Sequence, residues 1–278
     1  MQDRHGIAEV RGCPVAYTVR GSGPPVLFIQ GVGVHGDGWL PQIDQLSATY
    51  TCVWFDNRGM GRSLPAAAAI TVEQMAADAE AVLQAVQVER AHVVGHSLGG
   101  LVALQLALAS RHRVASLALL CTFASGRAAA PLSARMIWLG FRSRVGTRRM
   151  RREGFLRLVL PPGGERGREV ADDRLAALFG HDLADQPPVV SAQLRAMRQA
   201  DRTAALGALA DLPTLVVSAV HDPIAPPSSG RALAASIPGA EYVEFEDASH
   251  GLPITHAREV NALLFRHLVA AQGSGAAV

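Results

Sequence analysis

Residues 91–103 read AHVVGHSLGGLVA, a short β-branched run that passes through the sequence GHSLG into an apolar helical pattern. The run is typical of a buried strand, and the stretch 98–110 has almost no polar face, which is typical of a buried helix. A serine on a sharp turn between a strand and a helix requires small residues two positions before and after it, because the two backbones cross closely there. Gly95 and Gly99 meet this requirement, so the motif predicts Ser97 as a catalytic nucleophile; the alternative is a chance glycine-serine turn.

Short apolar runs alternate with longer helical patterns on both sides of this turn. The runs that predict strands are PVLFIQ (25–30), TCVWFD (51–56), AHVVGHS (91–97), VASLALL (114–120), PTLVVSAV (213–220) and AEYVEFE (240–246). The patterns that predict helices lie near 41–48, 71–86, 98–110, 226–237 and 254–270. A hairpin within 7–20 would add an antiparallel edge. This alternation predicts an α/β fold with a mostly parallel central sheet and helices on both faces.

Between about residues 122 and 208 the strand pattern disappears. The stretch is helical in pattern, rich in arginine, and interrupted at Pro131, at 161–164 and at 187–188. We therefore expect a core built from residues 1–121 and 209–278, with an inserted helical cap at 122–208. The tail AQGSGAAV (271–278) is expected to be frayed.

The composition excludes several classes of protein. Of the 278 residues, 49% are hydrophobic and 18% are charged, which is ordinary for a globular protein and too apolar for a disordered one. The net charge of +2 provides no field that would draw the chain to nucleic acid. All 26 basic residues are arginine, so a Schiff-base lysine and a phosphate-loop lysine are both excluded.

The cysteines and the hydropathy pattern bear on metal binding and on location. Cys13, Cys52 and Cys121 have spacings that match neither a zinc site nor a disulfide framework, and we interpret them as buried thiols. The first residues lack the apolar stretch of a secretory signal, and no run approaches the roughly 18 apolar residues that span a bilayer. We expect a cytoplasmic protein with no integral membrane segment and no metal site.

A serine hydroxyl needs a base to become a nucleophile, and the base needs a carboxylate that fixes its tautomer. Asp222 follows the predicted strand 213–220 in the sequence HDPIAP, and His250 follows the strand 240–246 in DASHGL. Both positions lie at the sheet edge where Ser97 is predicted, and open α/β sheets bind ligands at that edge. The alternatives are a turn aspartate before a proline and a solvated loop histidine.

Acyl transfer also needs two N–H donors for the developing oxyanion, one from the residue after the nucleophile and one from the loop after the third strand. Leu98 and Val32 are the candidates. Gly31 and Gly33 have no side chains, so the backbone of the loop after the third strand is expected to approach the substrate oxygen closely. His96, which precedes the serine, is expected to point away from its hydroxyl and is rejected as the base.

The same loop contains a competing motif. The sequence G-x-G-x-x-G occupies 31–36 after a strand, and Asp56 ends the next strand, as in dinucleotide-binding folds. Such folds open a full helix at the third glycine, whereas Gly38 and Pro41 interrupt that segment here. We therefore disfavour nicotinamide binding.

Five segments together resemble the α/β-hydrolase superfamily: FIQGVGVHGDGW (28–39), FDNRGMGRS (55–63), VVGHSLGG (93–100), SAVHDPIAP (218–226) and DASHGL (247–252). Within it, the chain is similar to the small esterases and lactonases related to 3-oxoadipate enol-lactonase, over roughly 25–121 and 210–270. The resemblance implies an α/β-hydrolase fold with a variable cap. It also implies these roles: Ser97 as nucleophile, His250 as general base and then acid, Asp222 as its orienting carboxylate, and Val32 and Leu98 as oxyanion donors.

The chain departs from the superfamily pattern at positions that reduce the number of reactions to be considered. Gln30 stands where members usually have histidine, and we expect it to hold the oxyanion loop by hydrogen bonding as that histidine does. Gly251 stands where the carbon–carbon bond hydrolases tend to have tryptophan, which disfavours that reaction. Epoxide and haloalkane hydrolases use an aspartate nucleophile, so Ser97 argues against both.

The predicted cap has 12 arginines against five carboxylates between residues 127 and 174. Such a run is usually a solvated helix face. A sharper hypothesis is that some of them steer an anionic substrate, such as a carboxylate-bearing lactone, into the cleft; the same patch would also suit a partner or an anionic membrane surface. The candidates are Arg142, Arg144, Arg148 and Arg149. The aromatic residues of the cap are expected to pack it rather than line the pocket: Trp138, Phe141, Phe155 and Phe179.

These inferences predict a serine hydrolase that cleaves a small-molecule carboxylic ester or lactone through an acyl-enzyme, without metal or cofactor. One alternative keeps the three residues but changes the reaction to carbon–carbon bond hydrolysis, perhydrolysis or acyl transfer to another acceptor. Another is a ligand-binding protein that keeps the pocket and turns over little or nothing. The sequence predicts neither the substrate nor the oligomeric state.

Overall fold

A mostly parallel sheet of eight strands runs through the part of the chain that the computed structural model describes, residues 2–127, 138, 140–161 and 176–275. In chain order its strands are β1 (Arg4–Val10), β2 (Cys13–Arg20), β3 (Pro25–Ile29), β4 (Thr51–Phe55), β5 (Ala91–His96), β6 (Val114–Leu120), β7 (Thr214–Ala219) and β8 (Glu241–Phe245). Strands β3 to β8 coincide, within one residue at each end, with the six apolar runs that predicted them.

The strands lie in the order β1-β2-β4-β3-β5-β6-β7-β8. Strand β2 pairs antiparallel with both β1 and β4, and the remaining pairs are parallel. The antiparallel edge is therefore confirmed, although β1 begins at Arg4 rather than near residue 7. Because parallel strands end at one edge of the sheet, the residues that follow β3, β5, β7 and β8 are brought to the same side of the molecule.

Helices pack on both faces of the sheet, and further helices lie in the segment between β6 and β7. They are α1 (Leu40–Leu46), α2 (Val72–Ala85), α3 (Leu98–Ala109), α4 (Arg148–Val159), α5 (Val190–Gln199), α6 (Pro227–Ser236), α7 (Leu252–Thr255) and α8 (Ala257–Gly275), with short 3-10 helices at Gly36–Trp39, Arg111–Arg113 and Thr203–Leu209. Thr71 caps α2 as the sequence predicts, because its Oγ1 accepts the N–H of Gln74 at 3.1 Å. Helix α3 is buried along nearly its whole length, as expected from its lack of a polar face.

The C-terminal helix differs from the prediction. The single helix expected at 254–270 is two helices, and α8 continues to Gly275. The frayed tail expected from residue 271 is therefore wrong as far as Gly275, and residues 276–278 lie outside the described part. Leu268 and Ala271 are buried, so packing extends the helix where the glycine-rich sequence argued against it.

Two apolar clusters fill the spaces between the sheet and its helices. In β3, Leu27 and Ile29 belong to the cluster under α2 and α3, whereas Val26 and Phe28 belong to the cluster under α1 and α8. This division follows from the alternation of side chains along a strand. The three cysteines are free and buried, which confirms their interpretation as buried thiols.

The segment 122–208, as far as it is described, is helical and carries a small apolar cluster of its own. Leu156, Val159, Phe179 and Leu183 pack there against Val34 of the core. Apart from a bridge between Ser125 and Asp201, no strand forms among the described residues of this segment. The interruptions predicted at Pro131 and at 162–164 lie outside the described residues.

None of the helices in the described ranges is both long enough and apolar enough to cross a membrane.

Candidate active site

Ser97 occupies the turn between β5 and α3 in a strained backbone conformation. Its φ of 55° and ψ of −120° lie outside the regions that residues other than glycine favour. Three hydrogen bonds hold it there. Its N–H donates to the carbonyl of Leu120 at 3.0 Å, and its own carbonyl accepts from the hydroxyl of Thr122 at 2.7 Å and the N–H of Gly100 at 2.9 Å. The surroundings of the strand–helix junction thus stabilise a conformation in which Ser97, although buried, lines the cavity at this edge of the sheet.

The glycines on either side of Ser97 are required by steric contact. A Cβ on Gly95 would overlap the carbonyl of Gly99, and a Cβ on Gly99 would overlap the carbonyl of Ile29. Both obstacles are backbone atoms, which cannot move aside as a flexible side chain can. The requirement for small residues that the sequence predicts therefore has a direct cause in the structure.

Asp222 and His250 are in contact. The Nδ1 of His250 donates to Oδ2 of Asp222 at 2.7 Å, and the carboxylate is completely buried. The other oxygen, Oδ1, accepts the N–H groups of Ile224 at 2.7 Å and Ala225 at 2.9 Å. The loop after β7 therefore holds the carboxylate in a fixed orientation, and the histidine is left with Nε2 as its available nitrogen.

Ser97 and His250 line one cavity of about 930 Å³. No hydrogen bond joins them, and the Ser97 hydroxyl has no partner among the described residues. In ligand-free sites such hydrogen bonds are often long and form only when substrate binds. The structure therefore brings the three predicted residues to one site and forms the His250–Asp222 contact, but not the contact between nucleophile and base.

The two predicted oxyanion donors have free N–H groups. Within the described part of the chain, neither Val32 nor Leu98 has a hydrogen-bond partner for its backbone N–H. The loop also lies close to the nucleophile, because a Cβ on Gly31 would come within 3.0 Å of the Cβ of Ser97. Leu98 is the first residue of α3, where the N–H groups are left unpaired by the helix and favour negative charge.

Gln30 holds the loop after β3 by hydrogen bonding, as expected. Its Oε1 accepts the N–H of Gly31 at 3.1 Å, and its own carbonyl accepts from Nδ2 of Asn57 at 2.8 Å. The N–H on the other side of Val32, that of Gly33, is also occupied. Both neighbours of the Val32 N–H are thus engaged in hydrogen bonds, and Val32 itself lines the cavity.

His96 is not placed as a base, in agreement with the prediction. Its Nε2 donates to the backbone carbonyl of His250 at 2.9 Å, and the two rings lie 4.8 Å apart. Burial, together with the charge that His250 can carry, lowers the pKa of His96 to about 3. A neutral His96 therefore supports the loop of His250, a contact between residues 154 positions apart that the sequence did not indicate.

His96, Cys121 and His250 form a buried group whose potential metal-ligand atoms lie within 4.8 Å of one another. Metal binding requires a deprotonated thiol, and burial, together with the carboxylate of Asp222, raises the pKa of Cys121 well above its usual value. Nδ1 of His250 and Nε2 of His96 are both engaged in hydrogen bonds, to Asp222 and to the carbonyl of His250. The donor set therefore suits a metal ion poorly.

The segment 122–208 contacts the loops of the site through hydrogen bonds that the sequence did not indicate. Gln193 of α5 accepts the N–H of Gly33 at 2.9 Å, and His181 donates from Nε2 to the carbonyl of the same residue at 2.8 Å. Val159, at the end of α4, accepts the N–H of Gly251 at 2.8 Å. No local pattern marks these residues, because their partners are far away in the sequence.

The arginines named as candidates for steering fall into different places. Arg144 lines the cavity, whereas Arg148 pairs with Asp182 and Asp185 and Arg149 pairs with Glu153. Arg142 lies over the ring of Trp138, 5.9 Å from its centre. Three other arginines line the cavity and were not singled out as candidates: Arg127, Arg195 and Arg198.

The four aromatic residues of this segment lie in two different environments. Phe155 and Phe179 pack edge to face at 5.2 Å and line the cavity as well, so packing and lining are not alternatives for them. Trp138 and Phe141 are exposed at 50% and 57%, and neither lines the cavity. The expectation that they pack the segment is therefore wrong for these two residues.

The competing dinucleotide motif is engaged in other contacts. Asp56 accepts the N–H of Gly36 at 2.8 Å and the N–H of Arg62 at 3.0 Å. Its carboxylate therefore holds the loops that contain these two residues. After Gly36 come a short 3-10 helix and the seven-residue α1, not the long helix of a dinucleotide-binding unit.

Comparisons with known proteins agree with this architecture. A family model described as alpha/beta hydrolase fold matches residues 24–257. The chain is 33% identical to the dihydrolipoyllysine-residue acetyltransferase component of the acetoin cleaving system of Cupriavidus necator, over 94% of this chain and 68% of that protein. It is also 33% identical to a putative carbamate hydrolase, RutD, of Variovorax paradoxus, over 94% of this chain and 98% of that protein. The structure of an enol-lactonase from Burkholderia xenovorans LB400 superimposes with a TM-score of 0.80 and 26% identity, over 95% of this chain and 100% of that one.

Proposed function

The chain belongs to the alpha/beta hydrolase fold family and is a hydrolase, and from this premise we propose that it cleaves a carboxylic ester or lactone through an acyl-enzyme on Ser97. The observation that carries the proposal is the arrangement around one cavity. A serine at φ 55° on a strand–helix turn opens into the same space as a histidine whose Nδ1 contacts a buried aspartate at 2.7 Å. These are the components of a serine nucleophile, its base and the orienting carboxylate.

In the first half of the reaction, Oγ of Ser97 attacks the substrate carbonyl while Nε2 of His250 takes its proton. Asp222 stabilises the resulting imidazolium through Nδ1. The N–H groups of Val32 and Leu98 donate to the oxygen that becomes negative in the tetrahedral intermediate. Collapse breaks the bond to the leaving oxygen, which receives the proton from His250, and leaves an ester of Ser97.

In the second half, His250 takes a proton from water, and the hydroxide attacks the Ser97 ester. The intermediate collapses to the acid and the free serine, and His250 returns its proton to Oγ. Each half therefore ends with His250 neutral, and no metal or redox cofactor is required. The same steps on a carbamate would release the alcohol and leave a carbamoyl group on Ser97 for hydrolysis, so carbamates belong among the substrates to be tested.

We also propose that the segment 122–208 acts as the cap of this site. Its residues supply a large part of the cavity wall, while the sheet edge supplies the reacting groups. Contacts from Gln193, His181 and Val159 to the two catalytic loops support this role, because they tie the position of the segment to the geometry of the reaction.

Labelling with a fluorophosphonate tests the proposal without knowledge of the substrate. We expect the wild-type protein to carry the label on Ser97, identified by peptide mass spectrometry, because an activated serine reacts with such a probe. The variants Ser97→Ala and His250→Ala should show no label, and circular dichroism should show that both are folded.

Wild-type protein that stays unlabelled would contradict the proposal and favour a ligand-binding protein with the same pocket. A label that persists in His250→Ala would contradict the role of that histidine. Given a label on Ser97, a panel of aryl esters, lactones and carbamates, each assayed with water and with hydrogen peroxide as acceptor, distinguishes hydrolysis from perhydrolysis.

A further inference from the structure

We infer that the cavity selects substrates that carry a carboxylate, and that Arg127, Arg144, Arg195 and Arg198 form its anion-binding wall. The inference rests on the function proposed above and names the substrate class of the same site. We refer to these residues as the arginine wall.

The charged side chains among the described lining residues of the cavity are cationic. Among the described residues that line it, the arginine wall supplies four cations, and no lining residue is an aspartate or glutamate. All four arginines belong to the segment 122–208, whereas Ser97, His250 and Val32 line the cavity from the sheet edge. A substrate with a carbonyl at one end and a carboxylate at the other therefore matches the division of the cavity into a reactive side and a cationic side.

The arginine wall differs from three arginines on the outer surface of this segment in whether an acidic side chain is close by. Arg148, Arg149 and Arg151 each pair with an acid at 2.6 to 3.2 Å, and none of them lines the cavity. None of the four arginines of the wall forms an ion pair with a described residue. Within the described residues, Arg148, Arg149 and Arg151 thus have counter-ions and the four arginines at the cavity have none, so a bound anion would supply the missing charge there.

Helix α5 presents two of these arginines on the face that lines the cavity. Arg195 and Arg198 lie three positions apart on one face, together with Ser191 and Leu194, and all four line the cavity. Like charges at this spacing destabilise a helix, and no acid lies within α5 to offset them. The buried residues of α5 instead pack inward, which fixes the direction of the charged face.

Guanidinium groups favour a carboxylate over a neutral ester of the same shape, because they donate two parallel hydrogen bonds to it. The arginines of the wall are exposed to solvent at the cavity, so their effect on affinity is moderate and weakens as salt screens the charges. The expected signature is therefore a preference between matched substrates that falls with ionic strength.

The test compares mono-4-nitrophenyl suberate with the 4-nitrophenyl ester of monomethyl suberate, which has the same acyl chain but no charge. The suberate chain is too long for the carboxylate to attack its own ester readily. We expect the wild type to prefer the anionic ester in kcat/KM. The double variant Arg195→Gln/Arg198→Gln should reduce that preference about tenfold, mainly through KM, as expected for the loss of two exposed charge contacts. The matched control is Arg149→Gln/Arg157→Gln, which removes the same charge from exposed positions of the same segment that do not line the cavity.

A preference of similar size in the wild type, the wall variant and the control would overturn the inference while leaving the hydrolase proposal intact. So would equal loss in the control, because it would indicate a general charge effect. If Ser97→Ala still hydrolysed both esters, the proposed function would fail instead.

Binding provides a readout that needs no turnover. Calorimetry on Ser97→Ala protein should detect monomethyl suberate and not dimethyl suberate, and the Arg195→Gln/Arg198→Gln changes should weaken that binding. Equal binding of the charged and neutral compounds would overturn the inference even if the wild type hydrolysed neither nitrophenyl ester.

Discussion

At the scale of single residues, Asp222 makes hydrogen bonds with several parts of the site. Its Oδ1 accepts two backbone N–H groups, those of Ile224 and Ala225, and its Oδ2 accepts Nδ1–H of His250. The two oxygens therefore have different tasks: one fixes the carboxylate to its loop, and the other fixes the tautomer of the histidine.

We predict that Asp222→Asn lowers kcat about 10³- to 10⁴-fold on the best ester found, because an amide in this position favours the wrong histidine tautomer. The amide oxygen still accepts both N–H groups, so the melting temperature should change little. Steady-state kinetics and thermal unfolding check the two parts. A variant that kept a tenth of the wild-type kcat would rule out the orienting role.

At the scale of elements, the reactive loops depend on helices of the segment 122–208. Gln193 of α5 is fully buried and accepts the N–H of Gly33, next to the proposed oxyanion donor Val32. Val159 of α4 accepts the N–H of Gly251, which follows His250 directly. If the proposed function holds, a shift of either helix would move a proposed catalytic group, so we propose that the segment positions the reacting groups as well as lining the cavity.

We predict that Gln193→Met lowers kcat about tenfold with little change in KM, because methionine has nearly the same shape but no strong acceptor for the Gly33 N–H. A merely structural role would lower the melting temperature without this division between kcat and KM. The control is Gln84→Met on the exposed face of α2. Equal kcat in Gln193→Met and wild type would show that the hydrogen bond does not position the loop.

At the scale of the whole molecule, buried histidines make stability depend on pH. Burial lowers the pKa of His92 on β5 and of His267 on α8 to about 4, from an ordinary value of 6.5. His92 bonds to Ser116 at 2.8 Å, and Nε2 of His267 is buried without a partner. Below pH 6.5 the unfolded chain binds protons at these positions that the folded chain does not, so the folded state loses stability as pH falls toward 4.

We predict that the free energy of unfolding falls by a few kcal/mol between pH 7 and pH 4.5, and that His92→Asn/His267→Asn removes about half or more of that fall. Asparagine keeps a polar atom near the Nδ1 position but does not titrate. Urea denaturation at several pH values provides the measurement, with the exposed His112→Asn as control. An unchanged pH slope in the double variant would show that other groups cause the acid sensitivity.

The sequence by itself determined the features that depend on neighbouring residues. The strand–turn–helix at Ser97, the strands β3 to β8 and the capped start of α2 follow from local sterics and hydrophobic periodicity. Asp222 and His250 could be proposed as partners because the carboxyl ends of parallel strands lie at one edge of the sheet. Residues that directly follow different strands are therefore close together in space.

The tertiary structure alone decided which distant residues complete the site. Gln193 meets Gly33 across 160 positions and His181 meets it across 148, and no periodicity relates such residues. Which arginines face the cavity depends on how the segment 122–208 packs on the core, which is why Arg195 and Arg198 line it and Arg148 does not. Local sequence specifies the element that carries a side chain, but only packing between elements specifies what that side chain faces.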